Sequence, residues 1–136
     1  MAGVEQLLCS ENDGTISFGN HSLVEKAKLE DFNHGGDIYK VKTYKAMTKL
    51  EKNGMFLYES VPGTSVEHFQ ETENGVTFFV EGNQDAQLIL GLEDDTEYQV
   101  FINDESVGTM NTGVSGKLNV SVDFTDAKRV YVSVEK

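Results

Sequence analysis

The residues able to do chemistry are few in this chain, and their spacing brings none of them together. There are three histidines, His21, His34 and His68, and one cysteine, Cys9, among 136 residues. No two histidines stand at His-x-His or His-x-x-x-His spacing, and one cysteine cannot complete a zinc site. A Cys9 nucleophile would need a base and a group to orient it; His21 or His34 could supply the base only in space. A buried or incidental thiol is the expectation. Asp31-Phe-Asn-His-Gly-Gly-Asp37 opens like a calcium loop, but Gly35 takes the place of an oxygen ligand and Lys42 stands where a bidentate glutamate belongs. Glu93-Asp94-Asp95 and Asn103-Asp104-Glu105 read as polar turns, with adventitious calcium binding as the alternative. Gly113-Val-Ser-Gly116 lacks the spacing of a nucleophile elbow, and the remaining glycines sit in hairpin turns rather than in a phosphate cradle. Among 23 acids some pair will fall at glycosidase separation by chance, so carboxylates carry no signal. No catalytic residue, metal ligand or cofactor is expected.

Binding is the chemistry left to consider. Sugar rings stack best on tryptophan, and there is none. Tyr39, Tyr44, Tyr58 and Tyr131 are the outward candidates for a glycan platform, set against the commoner role of a sheet tyrosine as a cross-strand packing partner. A net charge of −12 argues against nucleic acid, whose backbone such a surface repels. Seven of the 11 basic residues lie in residues 1–68 (Lys26, Lys28, Lys40, Lys42, Lys45, Lys49 and Lys52), whereas 13 of the 23 acids lie in 69–136. Two readings follow: a solvated sheet face, or a basic face of one copy that docks on the acidic half of another.

The elements that must position these groups read as strands. Leu118-Asn-Val-Ser-Val-Asp-Phe124 and Val130-Tyr-Val-Ser-Val134 alternate apolar and polar residues, which gives a pleated strand one dry and one wet face. Asp37–Thr43 places Ile38, Lys40 and Lys42 on one side of a strand and Tyr39, Val41 and Thr43 on the other, with one face suited to a core. Asn53-Gly54 fits the two left-handed positions of a type I′ hairpin, Glu73-Asn-Gly75 a second one, and Val61-Pro-Gly-Thr64 a type II turn. Strands are expected at 15–18, 55–58, 66–70, 76–81, 86–90, 98–102 and 107–110. Val4–Leu8 suits a short helix or an arm. Ser22–Glu25 has capping-box spacing for a helix near residues 22–32, yet Leu23, Ala27 and Leu29 also alternate as in a strand, so that segment stays open. The fold class is all-β: one domain over 1–136, a two-layer antiparallel β-sandwich, immunoglobulin-like or jelly-roll.

Leu92-x-x-x-Thr96-x-Tyr98-x-Val100 resembles the tyrosine-corner stretch of fibronectin type III and related immunoglobulin-like domains. The resemblance implies that the hydroxyl of Tyr98 bonds the backbone of the preceding loop; the usual proline is replaced by Glu93-Asp94-Asp95. Gly36-Asp-Ile-Tyr-Lys-Val-Lys-Thr43 and Thr48–Thr64 are similar to small uncharacterised all-β proteins of gut Firmicutes, some labelled endosialidase. That activity does not fit: sialidases grip a carboxylate with clustered arginines, and Arg129 is the sole arginine. The chain is also too short for a propeller.

The sequence therefore predicts a non-catalytic binding or self-assembling module, with a homo-oligomer or protein partner expected, a carbohydrate-binding module as the alternative and a glycan hydrolase using a carboxylate pair last. No run of about 18 apolar residues is present to span a membrane as a helix. The start has neither a basic nor a long apolar region of a signal peptide, and the lone cysteine suits a reducing compartment, so a cytoplasmic protein is expected. A secreted domain without its leader is the alternative.

Overall fold

The computed structural model describes residues 6–124 and 129–136. Strands β1 (Leu8–Ser10), β2 (Ile16–Phe18), β3 (Ala27–His34), β4 (Asp37–Tyr44), β5 (Met47–Lys52) and β6 (Met55–Val61) fill the first half. Then follow β7 (Ser65–Glu71), β8 (Gly75–Glu81), β9 (Ala86–Gly91), β10 (Glu97–Ile102), β11 (Glu105–Asn111), β12 (Lys117–Val122) and β13 (Arg129–Glu135). One sheet has seven strands in the order β1-β2-β7-β8-β13-β10-β11, the other six in the order β12-β9-β6-β5-β4-β3. Every ladder is antiparallel, and the sheets pack face to face as a β-sandwich.

Alternation drives this arrangement. Leu118, Val120 and Val122 of β12 and Val130, Val132 and Val134 of β13 are buried, while Asn119 and Ser121 face solvent. Between the layers Tyr58 stands edge-on to Phe18 at 5.2 Å and to Phe78 at 5.7 Å, a geometry that sets ring edges against ring faces. Toward one end the interior is polar and fully bonded. Thr48 Oγ1 lies 2.8 Å from Thr43 Oγ1 and donates to the Thr64 carbonyl at 2.7 Å; Thr64 Oγ1 in turn meets Tyr58 Oη and Ser60 Oγ, each at 2.7 Å. Buried hydroxyls cost stability only when unpaired, and these are paired.

The hairpins follow the turn chemistry with two corrections. Asn53 and Gly54 take φ of 53° and 79°, as a type I′ turn requires. The second Asn-Gly hairpin forms, but its central residues are Glu73 and Asn74; Gly75 already belongs to β8, and Thr72 Oγ1 accepts from the amides of Asn74 and Gly75. The type II turn at Val61–Thr64 is not present. The Val61–Pro62 bond is cis and Gly63 does not have a positive φ. Gly63 is there for room, since a Cβ would lie 1.9 Å from the Tyr44 carbonyl oxygen.

No helix forms near residues 22–32. Residues 27–34 are β3, which pairs with β4 from Ala27↔Thr43 to His34↔Asp37 and so satisfies a sheet edge that a helix would leave open. A bulge between Leu29 and Phe32, with Asp31 at φ 57°, shifts the inward positions from 27 and 29 to 32 and 34. Of the segment Val4–Leu8, residues 4 and 5 lie outside the described residues, and Leu8 opens a strand rather than ending a helix.

Candidate binding surfaces

The outer face of the six-stranded sheet carries a row of lysines. Lys28 of β3 stands opposite Lys42 of β4, and Lys42 opposite Lys49 of β5. Like charges directly opposite each other in a ladder destabilise it, so three in a row is a costly arrangement. Acids at neighbouring positions relieve part of it. Glu30 lies 3.4 Å from Lys28 and 3.5 Å from Lys40, and Glu51 lies 3.7 Å from Lys49. The ammoniums of Lys28 and Lys40 lower the Glu30 carboxyl below its ordinary value, the hydrogen bond from Lys28 being the largest cause. Among the described residues no ion pair reaches Lys42, the centre of the row.

A second surface is a cleft of about 480 Å³ at the end of the sandwich where the Lys52–Met55 turn, the Thr72–Gly75 turn and the Gly91–Asp94 loop converge. Its apolar lining comes from Met55, Phe56, Leu57, Leu92 and Tyr98, its polar rim from Glu71, Glu73, Glu93 and Asp94. Met55 is 72% exposed. Lys52 pairs with Glu71 at 2.7 Å, a bond that raises the Lys52 pKa, and Lys136 pairs with Glu93 at 2.6 Å. The Lys117 ammonium lies 4.8 Å from the centre of the Phe56 ring. The amide of Glu93 donates to Tyr98 Oη at 3.3 Å, the loop-to-tyrosine bond expected from the sequence, with Tyr98 buried.

The four tyrosine candidates do not form a platform. Tyr58 is wholly buried and Tyr39 nearly so, which corrects the expectation that they face outward. Tyr58 is turned inward by the irregularity opposite Leu50–Glu51, which lets both Leu57 and Tyr58 enter the core. Tyr39 sits on the core side of β4 with Val41 and Thr43, where alternation alone places it. Tyr44 and Tyr131 remain half-buried on opposite sheets, and both have partners. The Lys26 ammonium lies 5.6 Å from the Tyr44 ring centre, and Tyr131 tilts onto Phe79 at 4.8 Å.

The groups with catalytic potential are tied into structure. Burial and the Glu11 carboxylate raise the Cys9 pKa, which keeps the thiol protonated and a poor nucleophile. His21 is buried against Ser65, with Nδ1 2.6 Å from Oγ. Asp13 holds the Thr15 hydroxyl at 2.5 Å and His68 Nδ1 at 3.1 Å; the two bonds from Thr15 are the main reason its carboxyl titrates below the ordinary range. Like His21–Ser65, a second Ser–His pair escaped the sequence analysis because its members lie far apart, here by 24 residues. His34 Nε2 donates to the Gly14 carbonyl at 3.0 Å, leaving Nδ1 to accept from Ser10 Oγ at 2.7 Å. That bond joins β1 of one sheet to β3 of the other. Arg129 stacks over Phe79 at 4.1 Å and pairs with Glu67 at 3.2 Å. Among the described residues no group of three His, Cys, Asp or Glu side chains is placed to hold a metal ion. No helix among them is long and apolar enough to cross a membrane.

No family model, no curated protein and no solved structure matches the chain.

Proposed function

We propose that this protein is a non-catalytic binding module that assembles with copies of itself, the lysine face of one copy seated against an acid-rich edge of the next. The lysine row carries this reading. A ladder that sets Lys28, Lys42 and Lys49 side by side in a chain of net charge −12 gives up local stability, and a polyanionic partner surface would return it. The complementary acids are Glu93, Asp94, Asp95 and Glu97, on the loop leading into β10 and at its start. Two such different faces meet head to tail, so the product is a ring or a filament rather than a two-fold dimer. Sedimentation across a salt titration tests this. Larger species at low ionic strength should dissociate as the Debye length falls to about 3 Å near 1 M salt. A monomer at both extremes would overturn it.

A carbohydrate ligand in the end cleft is the second reading. What favours it is an apolar floor from Leu57 and Leu92 beneath carboxylates that can accept hydroxyl protons. A glycan array followed by resonance shifts at Met55 and Leu92 checks it. Silence at millimolar glycan dismisses it.

We also propose a kinship with the small all-β proteins of gut Firmicutes, supported by the stretches 36–43 and 48–64; the commitment of Arg129 to Glu67 and Phe79 argues against a sialidase activity. Strand order from β8 to β10 and from β11 to β13, crossing between layers at each step, favours a jelly-roll over an immunoglobulin-like assignment. A single cysteine, Cys9, with no second thiol to pair with, suits a reducing compartment, and on that ground we infer a cytoplasmic location.

A further inference from the structure

The two layers differ in width, and the mismatch leaves a step. β1 and β3 are joined at one side of the sandwich through Ser10 and His34. Counted from that side, β12 is the sixth and last strand of its layer, while β11 is the seventh of the other and extends past it. Burial agrees. Every residue of β11 except Met110 is exposed, Val107 at 49%, whereas β12 buries alternate residues under the opposite sheet.

The free side of β12 forms the wall of this step and the underside of β11 its roof. Free sheet edges are usually blunted by shortness, bulges or charge. β1 has three residues; β3 is bulged at Asp31 and carries Lys28, Glu30 and Asp31; β11 is bulged against β10. β12 has none of these defences along its middle. It runs in unbroken register with β9 from Lys117↔Gly91 to Val122↔Ala86, and its one charged residue is Lys117.

We propose that this step accepts a single extended peptide segment of a partner protein, basic at its N-terminal end, paired antiparallel to β12 beneath β11. The width of the step selects the occupant. A second copy pairing its own β12 here, about an axis normal to the sheet, would bring its upper layer into the space that this copy's β11 fills. A lone strand has no second layer to collide. Antiparallel pairing is the stronger kind and the one used by every ladder in this protein. β11 and β12 run in opposite directions because only a short turn joins them, so Glu105 lies toward the Val122 end. Exposed Asp104 and Glu105 lie toward that end, where the N-terminus of an antiparallel strand arrives. Main-chain bonds to β12 supply affinity, and alternate side chains under Met110 supply selectivity.

The probe is a synthetic peptide with two N-terminal lysines followed by alternating valine and threonine. Hydrogen exchange on the full chain should show protection of those amides in 117–122 that point away from β9. The same peptide methylated on alternate backbone nitrogens should give none. Glu105→Lys should weaken binding of the lysine-headed peptide about tenfold and strengthen that of a glutamate-headed one. Because Glu105 is exposed, this variant keeps its fold, which a denaturation curve verifies. Absence of protection, equal binding by the methylated peptide, or protection confined to the β3 edge would each overturn the proposal.

Discussion

His21 is the histidine most firmly built into the interior. It is 5% exposed and bonded to Ser65, and burial lowers its pKa from the ordinary imidazole value. The unfolded chain therefore holds the proton more tightly than the folded one. Stability from a neutral His21 is complete above the ordinary imidazole pKa and is lost as pH falls through the depressed folded value. Urea midpoints measured from neutral to mildly acidic pH should fall, and His21→Gln should flatten that fall relative to wild type. An unchanged slope would show that other groups govern the acid limb. Of this role the sequence offered only the histidine itself. The contact that buries it comes from Ser65, 44 residues away, which no local pattern encodes.

At the scale of elements, the Asn53-Gly54 hairpin was legible because a type I′ turn depends only on its own two residues, whereas the turn at Val61–Thr64 was not. Gly54 gives a direct check. Its φ is 79° and no atom lies within 4 Å of where a Cβ would sit, so a side chain meets no clash, only backbone strain. Gly54→Ala should cost roughly 1–2 kcal/mol, the usual cost of left-handed backbone for a residue with a Cβ, and Gly54→Asn distinctly less. Equal losses for both in a denaturation series would mean that the turn has another geometry. Strand existence was legible wherever alternation was unbroken, as in β12 and β13. It failed at β3, where the bulge at Asp31 adds one residue and moves the inward set from odd to even positions. The same cause misled the reading of Tyr58, since a register irregularity let two consecutive residues of β6 face inward. A bulge is chosen by the partner strand, and a pattern read along one strand cannot register it.

For the molecule as a whole, the lysine excess of the first half was visible as composition, but its meaning depended on register across three strands. Lys40 and Lys42 share a face by alternation alone. That Lys28 and Lys49 flank Lys42 follows only from the β3–β4 and β4–β5 pairings, which join residues separated in sequence. This register lets stability and assembly be separated in one variant. Lys42→Thr removes the middle charge, keeps a strand-favouring residue on an outward position and leaves the ion pairs of Lys28, Lys40 and Lys49 in place. If the row exists to meet an anionic surface, the isolated chain should gain stability, by roughly 0.2–1 kcal/mol on the scale of cross-strand pairs. Association at low salt should weaken in the same variant, and the two effects should shrink together as salt screens the row. A solvated face with no partner predicts the first effect without the second. A loss of stability on Lys42→Thr would mean that the lysine stems, lying along the sheet, contribute more by packing than their charges take away. Denaturant midpoints and sedimentation of the same samples, at low and high ionic strength, distinguish the three outcomes.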